Sequence, residues 1–385
     1  MNLFPSTSIL RAGLLAVLLL QALSHYSAGA GMPGLPPPAF PGEKLGSVED
    51  RWIAPWVYTF MNSVGVHHER TVRWYDAKGA IIKEISGLKV SNFPDFVTEW
   101  VDDRFYIHGV FTPWKFELPR KSAPGLWSGF HYGHGEIFLN QYYVRPGESM
   151  IDVYDHGKPA GTAGPFWDYR EQRLSLGDDG CTALMTWKDA EKKTSQVVVI
   201  GPNAAIRCRM NCGEDVRAPF TIAEGKGALL EIEGRRRPEA PEVPFRYVGA
   251  DGETHEFSLP PNARPLVSLP STDLVLFASH LENERFLLVH VRTGKIVWDV
   301  LSPVRMYPNV ATQALVLKDK VLLLGLDMAA LDLETGKTVA LWEDRKQKPM
   351  YGRLMQTGDA LYIVSATEFF KLNLEDIEAK RNGWK

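Results

Sequence analysis

The side chains able to do chemistry in this 385-residue chain fall into a few small groups. His131, His134 and Glu136 sit in the run GFHYGHGEIF, and His67, His68 and Glu69 form a second group. Imidazole and carboxylate are common ligands of divalent metals, so geometry decides whether either group can hold one. On a strand, His134 and Glu136 share one face and His131 takes the other, so a metal would need a loop here. His-x-x-His-x-Glu is not a recognised zinc signature, and a solvated turn is the preferred reading. Cys181, Cys208 and Cys212 are the only cysteines, and no closely spaced His completes a structural zinc set with them. The acid pairs Asp102-Asp103 and Asp178-Asp179 stand beside Gly or at turns, where such residues ordinarily bond the backbone. Nucleophile elbows, phosphate-binding Gly loops and His-Glu-x-x-His are all missing. The pattern therefore assigns no catalytic residue, no metal and no cofactor.

The elements that must position any site follow a repeat of about 42 residues. Val289–Trp298 reads VHVRTGKIVW and Leu331–Trp342 reads LDLETGKTVALW, each an apolar run, a Thr-Gly turn and a second apolar run. One period back from Gly294 lies Gly252, and one period on from Gly336 lies the Leu374–Ile377 region. Ala314–Leu317, Val321–Gly325, Ala329–Leu333 and Thr338–Trp342 are expected to be the four strands of one unit. Leu274–Ala278, Phe286–Val291 and Lys295–Val300 match three of them in the unit before, and Ala360–Ser365 and Phe369–Leu374 match two in the unit after. Tyr75–Ile82, Phe116–Pro124, Val153–Lys158 and Arg207–Gly213 mark fainter units upstream. Short strands, tight turns and a fixed period together predict an all-β fold, a β-propeller of seven or eight four-stranded blades. Trp52–Met61 is the expected strand that completes the last blade and closes the ring.

Arg11 and the apolar run Ala12–Leu23, followed by Ala28-Gly29-Ala30, predict a signal peptide over residues 1–30. The run is short for a membrane span, and no integral membrane segment is expected in the mature chain. Gly31–Gly46 is rich in Pro and Gly and reads as an extended leader, leaving 47–385 as a single propeller domain. Periplasmic or secreted localisation follows, and it permits disulfides. Cys208 and Cys212 flank what reads as a hairpin tip, so a bridge between them is the favoured pairing, with one from Cys181 to either as the alternative. A formal charge of −3 gives no electrostatic footprint for nucleic acid.

The two C-terminal repeats resemble the quinoprotein-type propeller repeat, Ala-x-Asp-x-x-Thr-Gly-x-x-x-Trp. Ala330, Asp332, Thr335 and Gly336 match in one copy, with Ala340 in the Trp position and Trp342 two places on. Thr293, Gly294 and Trp298 match in the other, with His290 in place of Asp. The resemblance implies that Gly takes positive φ in the turn, Asp and Thr bond the turn backbone, and Trp packs between blades. It extends to quinone-dependent dehydrogenases and to non-enzymatic envelope proteins. This chain lacks the adjacent Cys-Cys pair of many of the enzymes.

If the Thr-Gly turns share one face, the longer connections between blades open on the other. Ser302–Ala311 and Glu343–Leu354 then bring Arg305, Tyr307, Arg345, Lys346, Lys348, Tyr351 and Arg353 to one rim. Arg and Tyr are enriched at protein interfaces, which marks this set as a protein-binding rim. The expected function is an exported binding scaffold whose partner is an envelope or secreted protein. A quinone-dependent or other redox enzyme is the alternative that the repeat resemblance suggests. A carbohydrate-binding module is the one suggested by the Trp-rich stretch from Trp52 to Tyr169.

Overall fold

The computed structural model describes residues 42–47, 56–60, 63–68, 71–76, 78–86, 98–101, 104–107, 116–119, 131–134, 137–155, 158–168, 173–177, 179–187, 195–212, 216–232, 242–279, 284–305, 313–325, 327–342, 352–357, 360–365, 368–373, 375 and 377. The expected leader up to residue 41 and the signal peptide lie outside them. Residues 40–385 form one compact unit. Among the described residues no helix is long and apolar enough to cross a membrane.

The described residues form seven antiparallel sheets of four strands and one of three. With strands lettered A to D from the ring centre outward, blade one is β2 (Trp56–Phe60), β3 (Ser63–His68), β4 (Thr71–Tyr75) and β5 (Ile81–Ser86). A three-stranded sheet follows, made of β6 (Thr98–Val101), β7 (Arg104–Ile107) and β8 (Phe116–Pro119). Blade two is β9 (His131–His134), β10 (Ile137–Arg145), β11 (Gly147–Asp155) and β12 (Lys158–Asp168), and blade three is β13 (Arg173–Leu176), β14 (Thr182–Trp187), β15 (Ser195–Ile200) and β16 (Ile206–Cys212). Blade four is β17 (Val216–Ile222), β18 (Gly227–Ile232), β19 (Val243–Gly249) and β20 (Thr254–Leu259). Blade five is β21 (Ala263–Ser268), β22 (Leu274–Ser279), β23 (Arg285–His290) and β24 (Lys295–Leu301). Blade six is β25 (Gln313–Leu317), β26 (Lys320–Leu324), β27 (Met328–Asp332) and β28 (Thr338–Trp342). Blade seven is β29 (Gly352–Thr357), β30 (Ala360–Ser365), β31 (Glu368–Leu372) and, as its outer strand, β1 (Gly42–Ser47).

The A strands touch in a closed cycle: β2 with β9, then β13, β17, β21, β25, β29 and back to β2. The molecule is a seven-bladed β-propeller, and its ring closes without β6–β8, a sheet inserted between the first two blades. Of the expected seven or eight blades, the eighth arose from this insertion, which Phe116–Pro124 had marked as a fainter unit. The ring-closing strand is also corrected. Trp56–Phe60 is the innermost strand of blade one, and Gly42–Ser47 pairs antiparallel with β31 to complete blade seven. Part of the expected leader is therefore a strand.

Apolar seams join the blades. Between blades four and five Leu229, Phe245 and Tyr247 meet Val275, Phe277 and Leu287, and between five and six Leu276, Phe286 and Trp298 meet Val321, Leu323 and Leu331. B and C strands are buried on both faces (Val197–Ile200, Val275–Ser279, Val321–Leu324), while outer strands alternate with solvent, as in Thr254–Leu259. Fully burying such a side chain contributes roughly 1.5–3 kcal/mol, so the seams supply most of the cohesion.

The Thr-Gly turn behaves as its residues dictate. Asp332 Oδ1 accepts from the Thr335 N–H (2.8 Å) and the Thr335 hydroxyl (2.6 Å), and Gly336 sits at φ 70°. A Cβ on Gly336 would lie 2.8 Å from the Trp298 ring, and Trp298 Nε1 donates to the Leu333 carbonyl at 2.9 Å. Blade three inverts the fit. Its turn holds Ala204 at φ 64°, and the facing strand of blade two supplies Gly161, where a Cβ would lie 2.9 Å from that of Ala204.

Gly336→Ala should therefore cost more than the about 1–2 kcal/mol of a left-handed Ala, because the new methyl also meets the indole. Trp298→Ala should cost about 3–5 kcal/mol. In the double variant the methyl has room, so the sum should fall short of additivity. Urea unfolding of the four proteins measures this, and additive losses would mean that the two residues do not share a seam.

Candidate functional site

Because strands alternate in direction, A–B and C–D turns share one end of the ring, and B–C and D–A connections share the other. Between the described strands, no A–B or C–D turn exceeds five residues. The strands that bound the long connections 233–242, 302–312 and 343–351 end and begin at the opposite end, and β5, after which the insertion β6–β8 follows, ends there as well.

The rim residues have different fates within it. Arg305 begins the connection from blade five to blade six and grips Asp327 in the B–C turn of blade six. Its Nε donates to Asp327 Oδ2 at 2.7 Å and its Nη2 to Oδ1 at 2.6 Å, and its backbone N–H adds a contact to Oδ2 at 3.2 Å. The Asp327 side chain is 3% exposed and that of Arg305 48% exposed. A two-pronged guanidinium–carboxylate pair with one buried partner fixes a loop, so Arg305 is an anchor for this face. Arg353 lies on β29, the innermost strand of blade seven, and not on a loop. Tyr307, Arg345, Lys346, Lys348 and Tyr351 lie outside the described residues, all on connections that start and end at this face.

The tight-turn end carries a network that sequence reasoning missed. Arg292, in the outer turn of blade five, donates to Asp251 Oδ2 (2.9 Å) and to Glu253 in the outer turn of blade four, and its Nε reaches Asp273 Oδ2 (3.3 Å). Its guanidinium lies 5.6 Å from the centre of the Tyr247 ring. Hydrogen bonding to Arg292 holds the Asp251 carboxyl below the usual range, and the same bond raises the guanidinium further. Burial pushes the Tyr247 phenol up to about 12. Beside it, Glu224 sits at φ 60°, its backbone N–H on Asp179 of blade three and its carboxylate on the Ser271 N–H (2.9 Å) and hydroxyl (2.7 Å) of blade five. One residue thus ties three blades. The signal available in the sequence was the change of chemistry at repeat-equivalent positions, Ala250, Arg292 and Glu334.

The remaining candidates lie as follows. Cys208 and Cys212 lie on one strand, β16, and not at a hairpin tip. Four residues of extended chain separate them by about 13 Å, far beyond disulfide reach. All three thiols are free, and burial, with Asp179 adding to it, pushes Cys181 up to about 12, so it is no nucleophile at neutral pH. His131 and His134 fall on β9 and His67 and His68 on β3, while Glu69 and Glu136 lie outside the described residues. Among the described residues no three of His, Cys, Asp and Glu converge as metal ligands. Trp74, Trp298 and Trp342 are buried in blade packing.

Arg305→Ala strips the guanidinium from a buried carboxylate. Such a loss costs about 3–5 kcal/mol when both partners are buried, so the half-exposed Arg305 should give a value near or below the lower bound. Asp327→Asn should cost less, and adding it to Arg305→Ala should recover part of the loss. Thermal unfolding checks this, and an Arg305→Ala protein as stable as its parent would return Arg305 to the free rim.

No known protein family and no curated protein matches the chain by sequence. Solved structures similar to it include the computationally designed Ika8 protein, with a TM-score of 0.48 and 12% identity over 86% of this chain and 99% of that one. Apo AztD from Citrobacter koseri gives a TM-score of 0.45 and 11% identity over 76% of this chain and 87% of the other. BamB from Moraxella catarrhalis gives 0.43 and 10% over 86% and 100%.

Proposed function

We propose that the protein is an exported binding scaffold that engages another envelope or secreted protein through the face built from its long connections. The observation that carries this reading is the asymmetry of the two ends. One end is closed by turns of five residues or fewer, laced across blades by Arg292 and Glu224. The other end carries the long connections, the inserted sheet and the Arg- and Tyr-bearing segments 302–312 and 343–351. A rigid ring loses little ordering entropy on association, so its binding energy resides in what its loops present. Tyr307, Arg345, Lys348, Tyr351 and Arg353 are the contact residues of this reading, with Arg305 holding the loop that carries Tyr307. Export rests on the apolar run Ala12–Leu23 and the small residues that follow it.

Crosslinking of the tagged chain in its native envelope, followed by mass spectrometry, tests the proposal. One dominant, stoichiometric partner is expected, with crosslinks at 306–312 and 343–351. No partner enriched above an unrelated exported control, or crosslinks confined to the tight-turn end, would overturn it.

A further inference from the structure

The innermost strands of this ring are cationic. The seven A strands carry Arg173 on β13, Arg217 on β17, Arg264 on β21 and Arg353 on β29, and no Asp, Glu or Lys. The whole chain holds 46 acidic against 43 basic residues, so this one-sided set does not follow from composition. Each of these arginines is the first or second residue of its strand. A strands start at the end where the long connections begin and end, so all four stand at one mouth of the central channel.

The ladders separate the four. Arg217 stands opposite Glu231, the one carboxylate in the seven B strands, so it has a counter-charge at hand. Glu214 and Asp215 precede it, and Glu171 precedes Arg173 by two residues. Arg264 and Arg353 differ. They stand opposite Ala278 and Val364, and the residues leading into them, 260–263 and 346–352, include no acid. Arg264 is exposed although Ala263 and Val267 on the same strand are buried, and it makes no hydrogen bond or ion pair among the described residues. With a blade on each side of β21 and β22 behind it, that exposure is to the channel mouth.

Between these two lies blade six. Arg264 and Arg353 each pair with the penultimate residue of their B strand, and the residue of β25 in that place is Ala314, opposite Leu323. A small residue therefore separates the two arginine positions. Gln313 Oε1 accepts the Leu354 N–H at 2.6 Å, which ties β25 to β29 next to Arg353 and fixes the spacing. We infer that Arg264 and Arg353, either side of Ala314, form a binding site at the channel mouth for a small anionic molecule carrying a phosphate or neighbouring carboxylates. A planar guanidinium takes either group through two parallel hydrogen bonds, and an opening lined by one sign of charge focuses the field on the ligand. The site lies on the face proposed for protein contact and shares Arg353 with it, but it is read on the isolated protein, so the two readings stand or fall separately.

Titration calorimetry of the full-length protein with pyrophosphate and with citrate tests this. Saturable binding of at least one of them is expected, and the tighter of the two identifies the ligand's anionic group. Arg264→Gln and Arg353→Gln should each weaken it about tenfold or more, the loss of a hydrogen bond to a charged group. Arg264→Lys, which keeps the charge without the planar fork, should fall between. Arg264→Gln should leave the melting temperature of the unliganded protein unchanged, since Arg264 is exposed and unbonded. Arg207→Gln, at an exposed arginine on the outer strand β16, should bind as the parent does. No saturable binding of either anion, binding that survives both Arg264→Gln and Arg353→Gln, or an equal loss in Arg207→Gln would overturn the inference. So would hexaglutamate binding more tightly than both small anions, which would assign the mouth to an acidic segment of a partner protein.

Discussion

The seams between blades govern this molecule: apolar side chains of the inner strands meet across them, and at four of them the outer strand of one blade also packs on a turn of the next. Trp298 lies on the Gly336 turn, Phe257 on the Gly294 turn and Leu45 on the Gly79 turn, while Gly161 yields to Ala204 where the turn carries a methyl. At every one of these places one partner has no side chain, so a bulky residue can close on the neighbouring backbone. Short polar links set the registration. Thr221 bonds Ser175, Ser268 bonds Ala223, and Gln313 bonds the Leu354 N–H. Each is worth about 0.5–1.5 kcal/mol, less than one buried seam side chain, so the apolar contacts supply cohesion and the polar ones choose the alignment.

A ring built this way separates its two ends by topology alone. Tight turns must sit where the seam contacts are made, since Gly336 and Ala204 belong to those turns, and lengthening them would open the seam. The other end carries no such duty and tolerates insertion, as the three-stranded sheet between blades one and two demonstrates. Arg305 shows what that freedom requires: a long connection that is to present side chains must be fixed, here to the buried Asp327. Arg292 and Glu224 act at the opposite end, where exposed charges are spent on joining blades.

Blade six was legible strand by strand because its B and C strands are buried on both faces and read as unbroken apolar runs. Blade five was legible for the same reason, with Gly294 and Gly336 punctuating both. Outer strands escaped because they face water. The closing strand GEKLGS has Leu45 as its one large apolar residue, which was not enough to show a strand behind a Pro-rich stretch. IRCRMNC on β16 looked like a turn for the same cause, and that error produced the Cys208–Cys212 pairing. Trp52–Met61 read as the closing strand because its aromatics are conspicuous, yet apolarity cannot tell an innermost strand from an outermost one. For the rim, sequence could separate the tight turns from the long connections. It could not reveal that Arg305 would be consumed by Asp327, because the pairing spans a turn whose shape depends on the whole blade.

Closure of the ring by β1 is the point on which all of this turns, because without it blade seven has an open edge and blade one an uncovered Gly79 turn. Native-state hydrogen exchange resolved to single amides measures it directly. Protection of the Gly42–Ser47 amides bonded to β31, at the level of those in β30 and β31, is the expected result. Free exchange over Gly42–Ser47 alongside protected β30 and β31 would contradict the closed seven-bladed ring.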